Sequence, residues 1–298
     1  MRRRGNYQFL QKFSWYLPGV GGMFALLLWL LAGGLVGGIL VTVLTAVSGQ
    51  EAALAYGNLL AYPVMFVPPM LYAGIKSASN SMYSAGVRLD SRHFSPLGMP
   101  LCILLAVLGT LATGFWADGV TSLLPEMPDM LKELMKSLTQ GNFLVNFLTV
   151  CIMAPVCEEW LCRGMVLRGL LNHDVKPSVA ILVSAVFFAL IHLNPWQAIP
   201  AFLMGLLFGY VYYRTGSLRL SMLMHFTNNC FALVCGQLDA LKDMESWLDV
   251  IPLKLHIILA AACLILTALV VLSFGKVQKV RASGNLDPVP SIFDSDEV

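Results

Sequence analysis

Charge is what this sequence has least of. Of its 298 residues only 12% are Asp, Glu, Lys or Arg, and 57% are apolar; soluble domains carry about 25% charged residues. That shortage excludes a water-soluble globule and a disordered chain, and it leaves an integral membrane protein. A formal net charge of +2 is too small to recommend nucleic acid as a partner, and no basic stretch interleaved with aromatics occurs. The seven cysteines are odd in number, irregularly spaced and never C-x-x-C, which argues against a disulfide framework. No internal repeat is evident, so a transporter built from inverted halves gains no support.

Long apolar runs are what the sequence has instead. A spanning helix needs about 20 mostly apolar residues, and about eight segments qualify: 19–46, 52–75, 97–117, 143–171, 178–193, 197–213, 217–236 and 251–274. The first follows Arg2, Arg3, Arg4 and Lys12 but is too long for a signal-peptide core and lacks a clear cleavage site, so it reads as an uncleaved helix. With eight spans and the N-terminus inside, 15 of the 19 basic residues fall on the cytoplasmic side. The other side is acidic, with Glu51, Asp118, Glu126, Asp129, Glu133, Asp239, Asp243, Glu245 and Asp249. The expectation is an all-α, polytopic membrane helix bundle with both termini cytoplasmic. It comprises an N-terminal segment over 1–16, the bundle over 17–282 and a disordered acidic tail over 283–298. Residues 126–140 place Met130, Leu131, Leu134, Met135 and Leu138 at helical spacing, as an interfacial amphipathic helix would.

Ionisable side chains inside spans cost about 2.5–3.5 kcal/mol each on the insertion scale, so each needs a reason. They cluster in three segments: Glu158, Glu159 and Arg163; His192; and His225, with Asn228 and Asn229. Glu159 and Arg163 are four apart and can pair on one face. Glu158 is turned about 100° away and needs a partner from another helix. A short turn around 172–176 makes 143–171 and 178–193 an antiparallel hairpin, which brings Glu158, Glu159 and His192 to one level, about 20 Å from the turn. His225 and Asn229 share one face of their helix; alone they would read as polar glue between helices. Asn194 and Trp196, just after His192, read as a helix-ending Asn-Pro and an interfacial aromatic.

A buried carboxylate beside a histidine can activate water as a nucleophile. An imidazole and an amide on another helix can hold the oxyanion of a tetrahedral intermediate. The same Glu, Glu, His and His could instead bind zinc with a water position open, although no H-E-x-x-H occurs. Spacing alone leaves both open.

At these residues the sequence resembles the CPBP (Abi) family of intramembrane proteases, which includes the type II CAAX prenyl endopeptidases and lysostaphin-resistance-A-like proteins. The family's E-E-x-x-x-R matches Glu158, Glu159 and Arg163; F-x-x-x-H matches Phe188 and His192; H-x-x-x-N matches His225 and Asn229. The resemblance covers residues 143–236. It implies a catalytic core there, an active site within the membrane, Glu158 as base with His192 as its helper, and His225 with Asn229 at the oxyanion. Glu159, Arg163 and Phe188 would support the site. It implies no cofactor, a metal-dependent version being the secondary description. The partners implied are the lipid bilayer and a membrane-associated protein or peptide as substrate; the small outside loops and the lack of a soluble domain suggest a bacterial plasma membrane. A non-enzymatic bacteriocin-immunity or scaffold protein, or an ion path, is the competing reading.

Overall fold

A computed structural model describes residues 9–84, 86–140 and 142–277. The acidic tail over 283–298 and the first eight residues of the N-terminal segment lie outside the described residues. All the regular structure among the described residues is helical.

The longest helical run, Val20–Asn80, is two helices in one, because Gly49 has φ 85° and ψ 166°. Only glycine adopts that backbone without strain, so the helix breaks there. The two arms, α1 (20–48) and α2 (50–80), fold back on each other as an antiparallel hairpin. Glycines permit the close approach: a Cβ on Gly33 would stand 2.2 Å from the Met65 carbonyl oxygen, and one on Gly37 would stand 3.0 Å from that of Ala61. Small residues at helix contacts serve this purpose in membranes, where packing rather than water exclusion holds helices together. Gly33→Ala must therefore separate the arms. Its expected outcome is a lowered melting temperature in detergent and weaker activity, which a thermal unfolding scan beside a cleavage assay would read.

The remaining helices are α3 (Met99–Thr121), α4 (Asp129–Gln140), α5 (Phe143–Asn172), α6 (Pro177–Leu190), α7 (Pro195–Thr215), α8 (Leu218–Cys235) and α9 (Leu253–Phe274). All eight apolar segments expected from the sequence are helical, in the expected order, and the amphipathic segment is α4. By length and composition, Val20–Asn80, Met99–Thr121, Phe143–Asn172 and Leu253–Phe274 are sufficient to cross a membrane; Pro177–Leu190 is apolar but shorter. The boundaries follow local chemistry. Pro177 opens α6 and Pro195 opens α7 at helix positions that need no N–H donor. Asn194 does not end a helix but starts one: its side chain accepts from Trp196 N, 3.0 Å, as the cap of α7. Ser217 caps α8 in the same way, accepting from Leu220 N at 3.3 Å.

Helix α5 is central and irregular. Its residues Phe147–Met153 and Trp160–Leu167 wind as π-helix, on either side of a regular stretch, Ala154–Glu159. π-turns are rare and mark functional sites more often than chance. Here carbonyls in these wider turns serve side chains of neighbouring helices. Val150 O accepts from Asn229 of α8 at 2.8 Å, and Cys162 O accepts from Ser184 of α6 at 2.9 Å. The second bond fixes the register of the α5–α6 hairpin and sets Glu158 and Glu159 level with the end of α6.

Two basic residues assigned to the cytoplasmic side by charge counting are fully buried in α5. Arg163 belongs to the site described below. Arg168 holds the chain together at the bundle end: its guanidinium donates to the carbonyls of Gly164, Ser14, Val87, Phe13 and Tyr16. Five carbonyls disperse a charge that burial would otherwise make prohibitive. They also tie the segment before α1 and the loop before α3 to α5. At the opposite end, ion pairs Lys132–Glu245 and Lys136–Asp243, at 2.8 and 2.9 Å, fasten α4 to the loop between α8 and α9. Such exposed pairs contribute little to stability.

Candidate active site

The polar residues singled out in the sequence converge where α2, α5, α6 and α8 meet. Glu159 and Arg163 form the expected i,i+4 pair, with Arg163 Nη1 donating to Glu159 Oε1 at 2.8 Å and both side chains fully buried. Arg163 has more company than its pair. Nη2 donates to the Gly205 carbonyl at 3.0 Å, and the guanidinium lies over the rings of Phe188 and Phe208, at 4.6 and 5.4 Å. Arginine suits this place because its planar, weakly hydrated cation can stack on aromatics while its edge donates.

The same Glu159 Oε1 also receives His225 Nδ1, at 3.0 Å. That contact was not expected from the sequence, which paired Glu159 with Arg163 alone. It fixes the ring: a carboxylate can only accept, so Nδ1 carries the proton and Nε2 turns away from Glu159. His192 is fixed by the same logic. Its Nδ1 lies 2.7 Å from the carbonyl oxygen of Phe188, which again demands Nδ1–H and frees Nε2. Phe188 itself stands between the imidazoles, edge-on to both, with centroids 5.0 Å from His192 and 5.4 Å from His225.

Both free Nε2 atoms face Glu158. His192 Nε2 is 3.9 Å and His225 Nε2 is 4.0 Å from Glu158 Oε2. These spacings are too long for direct hydrogen bonds of about 2.7–3.2 Å, but one water bonded to two partners spans such a gap. Glu158 Oε2 is buried and has no hydrogen-bond partner among the described residues. The other oxygen is occupied, since the Tyr62 hydroxyl of α2 donates to Glu158 Oε1. The helical-wheel argument had left Glu158 without a local partner, and α2, α6 and α8 supply its surroundings.

Asn229 lies one turn along α8 from His225. Its amide nitrogen donates to Val150 O, and its Oδ1 accepts from Asn228 Nδ2 at 3.1 Å. One of its two amide hydrogens is thereby committed to α5, and the amide orientation is set from both sides.

Two residues of this constellation escaped the sequence reading. Tyr62 sits in a span without ionisable carboxylates or bases, so nothing local marked it; a phenol in an apolar span does need a hydrogen-bond partner. Asn228 was noted beside Asn229 without a task, and the structure gives it one.

Zinc ligands at about 2.0–2.1 Å in a tetrahedral shell stand roughly 3.3–3.4 Å apart. The two imidazole nitrogens stand wider than that from the Glu158 oxygen, and among the described residues no group of three or more His, Cys, Asp or Glu is placed to hold a metal ion.

Residues 140–231 match the family model described as type II CAAX prenyl endopeptidase Rce1-like. This segment is similar to that family over about a third of the chain. It contains α5, α6, α7 and most of α8, hence Glu158, Glu159, Arg163, Phe188, His192, His225 and Asn229. Together with the four helices long and apolar enough to cross a membrane, the match supports an integral membrane protein. No curated protein and no solved structure matches the chain. Tyr62 lies outside the Rce1-like segment.

Proposed function

We propose that the protein is an intramembrane endopeptidase that cleaves a membrane-associated protein or peptide with a water activated by Glu158. The observation that carries this reading is the unpartnered, buried Glu158 Oε2, which faces the Nε2 atoms of two imidazoles at 3.9 and 4.0 Å. A water between Glu158 Oε2 and His192 Nε2 meets two acceptors, one for each of its hydrogens. Its oxygen lone pair is then directed at a scissile carbonyl, and Glu158 takes a proton as the C–O bond forms.

The carbonyl oxygen becomes an oxyanion that needs donors already in place. His225, its Nδ1–H held by the Glu159 carboxylate, is a donor from Nε2 once that nitrogen carries a proton. The amide of Asn229 is the second donor. Glu158 then passes its proton to the departing amine nitrogen as the C–N bond breaks, and no covalent enzyme intermediate forms. Arg163 offsets the charge of Glu159, and Phe188 holds both rings upright.

The family name supports a prenylated C-terminal peptide as one substrate class; the chain itself supports a substrate that reaches the site in the membrane. The distribution of lysine and arginine supports both termini in the cytoplasm. The completeness of the polar set weighs against an immunity or scaffold protein, which would gain nothing from burying Glu158, Glu159, Arg163 and His225 in apolar helices beside a half-buried His192.

The test is to reconstitute wild type in liposomes with a mixed library of membrane peptides, prenylated and not, and to read cleavage by mass spectrometry with and without a chelator. Cleavage that survives the chelator and vanishes in Glu158→Gln is the expected result. Chelator-sensitive cleavage would assign the chemistry to a metal, and a folded wild type that cuts nothing would return the chain to the binding class.

A further inference from the structure

We propose that Tyr62 is a positioning residue for the base: its hydroxyl holds one oxygen of Glu158 so that the other is presented to the water. This rests on Glu158 as the base. The two neighbouring glutamates differ in how they are held. Glu159 is held by a cation, Arg163, and by His225. Among the described residues Glu158 is held by a neutral phenol, through Oε1 alone. A cation at contact distance would fix a carboxylate but suppress its ability to take a proton. A neutral donor fixes it and leaves that ability largely intact.

The geometry also divides the carboxylate. Oε1 is turned towards α2, and Oε2 towards α6 and α8, where the imidazoles stand. Without the phenol the carboxyl group is free to rotate about its last bond and spend its time in other orientations, so the water loses its fixed acceptor. Tyr62 is on the far side from the imidazoles, which makes it a holder of the base and not a proton donor to the leaving group.

Its own placement is firm. The Tyr62 ring packs on Phe66, with centroids 5.5 Å apart, and α2 is pinned to α1 by the glycine contacts at Met65 and Ala61, which bracket Tyr62 in sequence. The α1–α2 hairpin therefore completes a site whose other residues all lie in the Rce1-like segment.

The experiment is Tyr62→Phe in the full-length, reconstituted protein, beside Phe66→Leu, which alters packing but keeps the phenol. For Tyr62→Phe we expect kcat to fall about tenfold with KM within about twofold, as loss of a hydrogen bond to a charged group entails. The acidic limb of its kcat/KM–pH profile should move to higher pH by about one unit, because a donor to the ionised carboxylate has been removed. Phe66→Leu should leave the profile where it is. Tyr62→Phe with wild-type kcat and profile, while Glu158→Gln is dead, would overturn the inference and leave the base assignment standing. Activity in Glu158→Gln would overturn both. If Tyr62→Phe fails to fold, 3-fluorotyrosine at position 62 keeps the ring and strengthens the donor; the limb should then move to lower pH, and an unmoved limb would refute the role.

Discussion

Glu158→Gln is expected to lower kcat/KM by about 10²–10⁴-fold, the range general-base catalysis contributes, while the protein remains folded. Glutamine keeps the length and shape of the side chain, and its amide oxygen can still accept from Tyr62. Its –NH₂ then occupies the position of Oε2, facing His192 and His225, where it donates hydrogen bonds and cannot take a proton. Stability should hold or rise, since a neutral amide costs less than a carboxylate to bury in apolar surroundings. Glu159→Gln should do the opposite. It leaves Arg163 buried without its anion and offers Arg163 and His225 only a neutral amide oxygen in place of the carboxylate they share, so loss of folding accompanies loss of activity. Thermal unfolding measured beside cleavage for the two variants separates the tasks of adjacent glutamates. If Glu158→Gln unfolds and Glu159→Gln merely loses activity, the roles are reversed.

Why the sequence disclosed some of this and concealed the rest is a matter of cost. A charge in a membrane helix is expensive, so each ionisable group in an apolar run announces itself, and Glu158, Glu159, Arg163, His192 and His225 could be read directly. Spacing on a helix then paired Glu159 with Arg163, and the 172–176 turn gave the common level of α5 and α6. Tyr62 carries no charge and sits among residues that suit lipid, so its hydroxyl left no trace. The π-turns of α5 were hidden for another reason. They shift the register by a residue without disturbing the apolar pattern, and they show only once Asn229 and Ser184 are seen to reach the backbone of α5. The burial of Arg168 was not legible either, because arginine near a helix end normally faces water. Here the segment before α1 folds over that end and supplies Phe13, Ser14 and Tyr16 carbonyls in its place.

Arg163→Met is the second change with a large expected effect. It removes a cation that sits between two aromatic rings and leaves Glu159 buried as an anion, and breaking a buried pair in this way costs about 3–5 kcal/mol. Methionine fills much of the space beside Phe188 and Phe208, so the loss is mainly electrostatic and not a cavity. His225 is then the nearest group able to balance Glu159, through Nδ1 at 3.0 Å. The double variant Arg163→Met/Glu159→Gln removes both charges and should regain most of the stability that either single change loses. Residues in contact are expected to be non-additive in this sense. Activity should not return with it, because the carboxylate that holds His225 through Nδ1 has been replaced by a neutral amide. Unfolding midpoints for the four members of the cycle give the coupling, and their cleavage rates test whether Glu159 does more than hold Arg163. If the double variant were both stable and active, Glu159 and Arg163 would be a removable ion pair, and the support for His225 would have to come from elsewhere in the bundle.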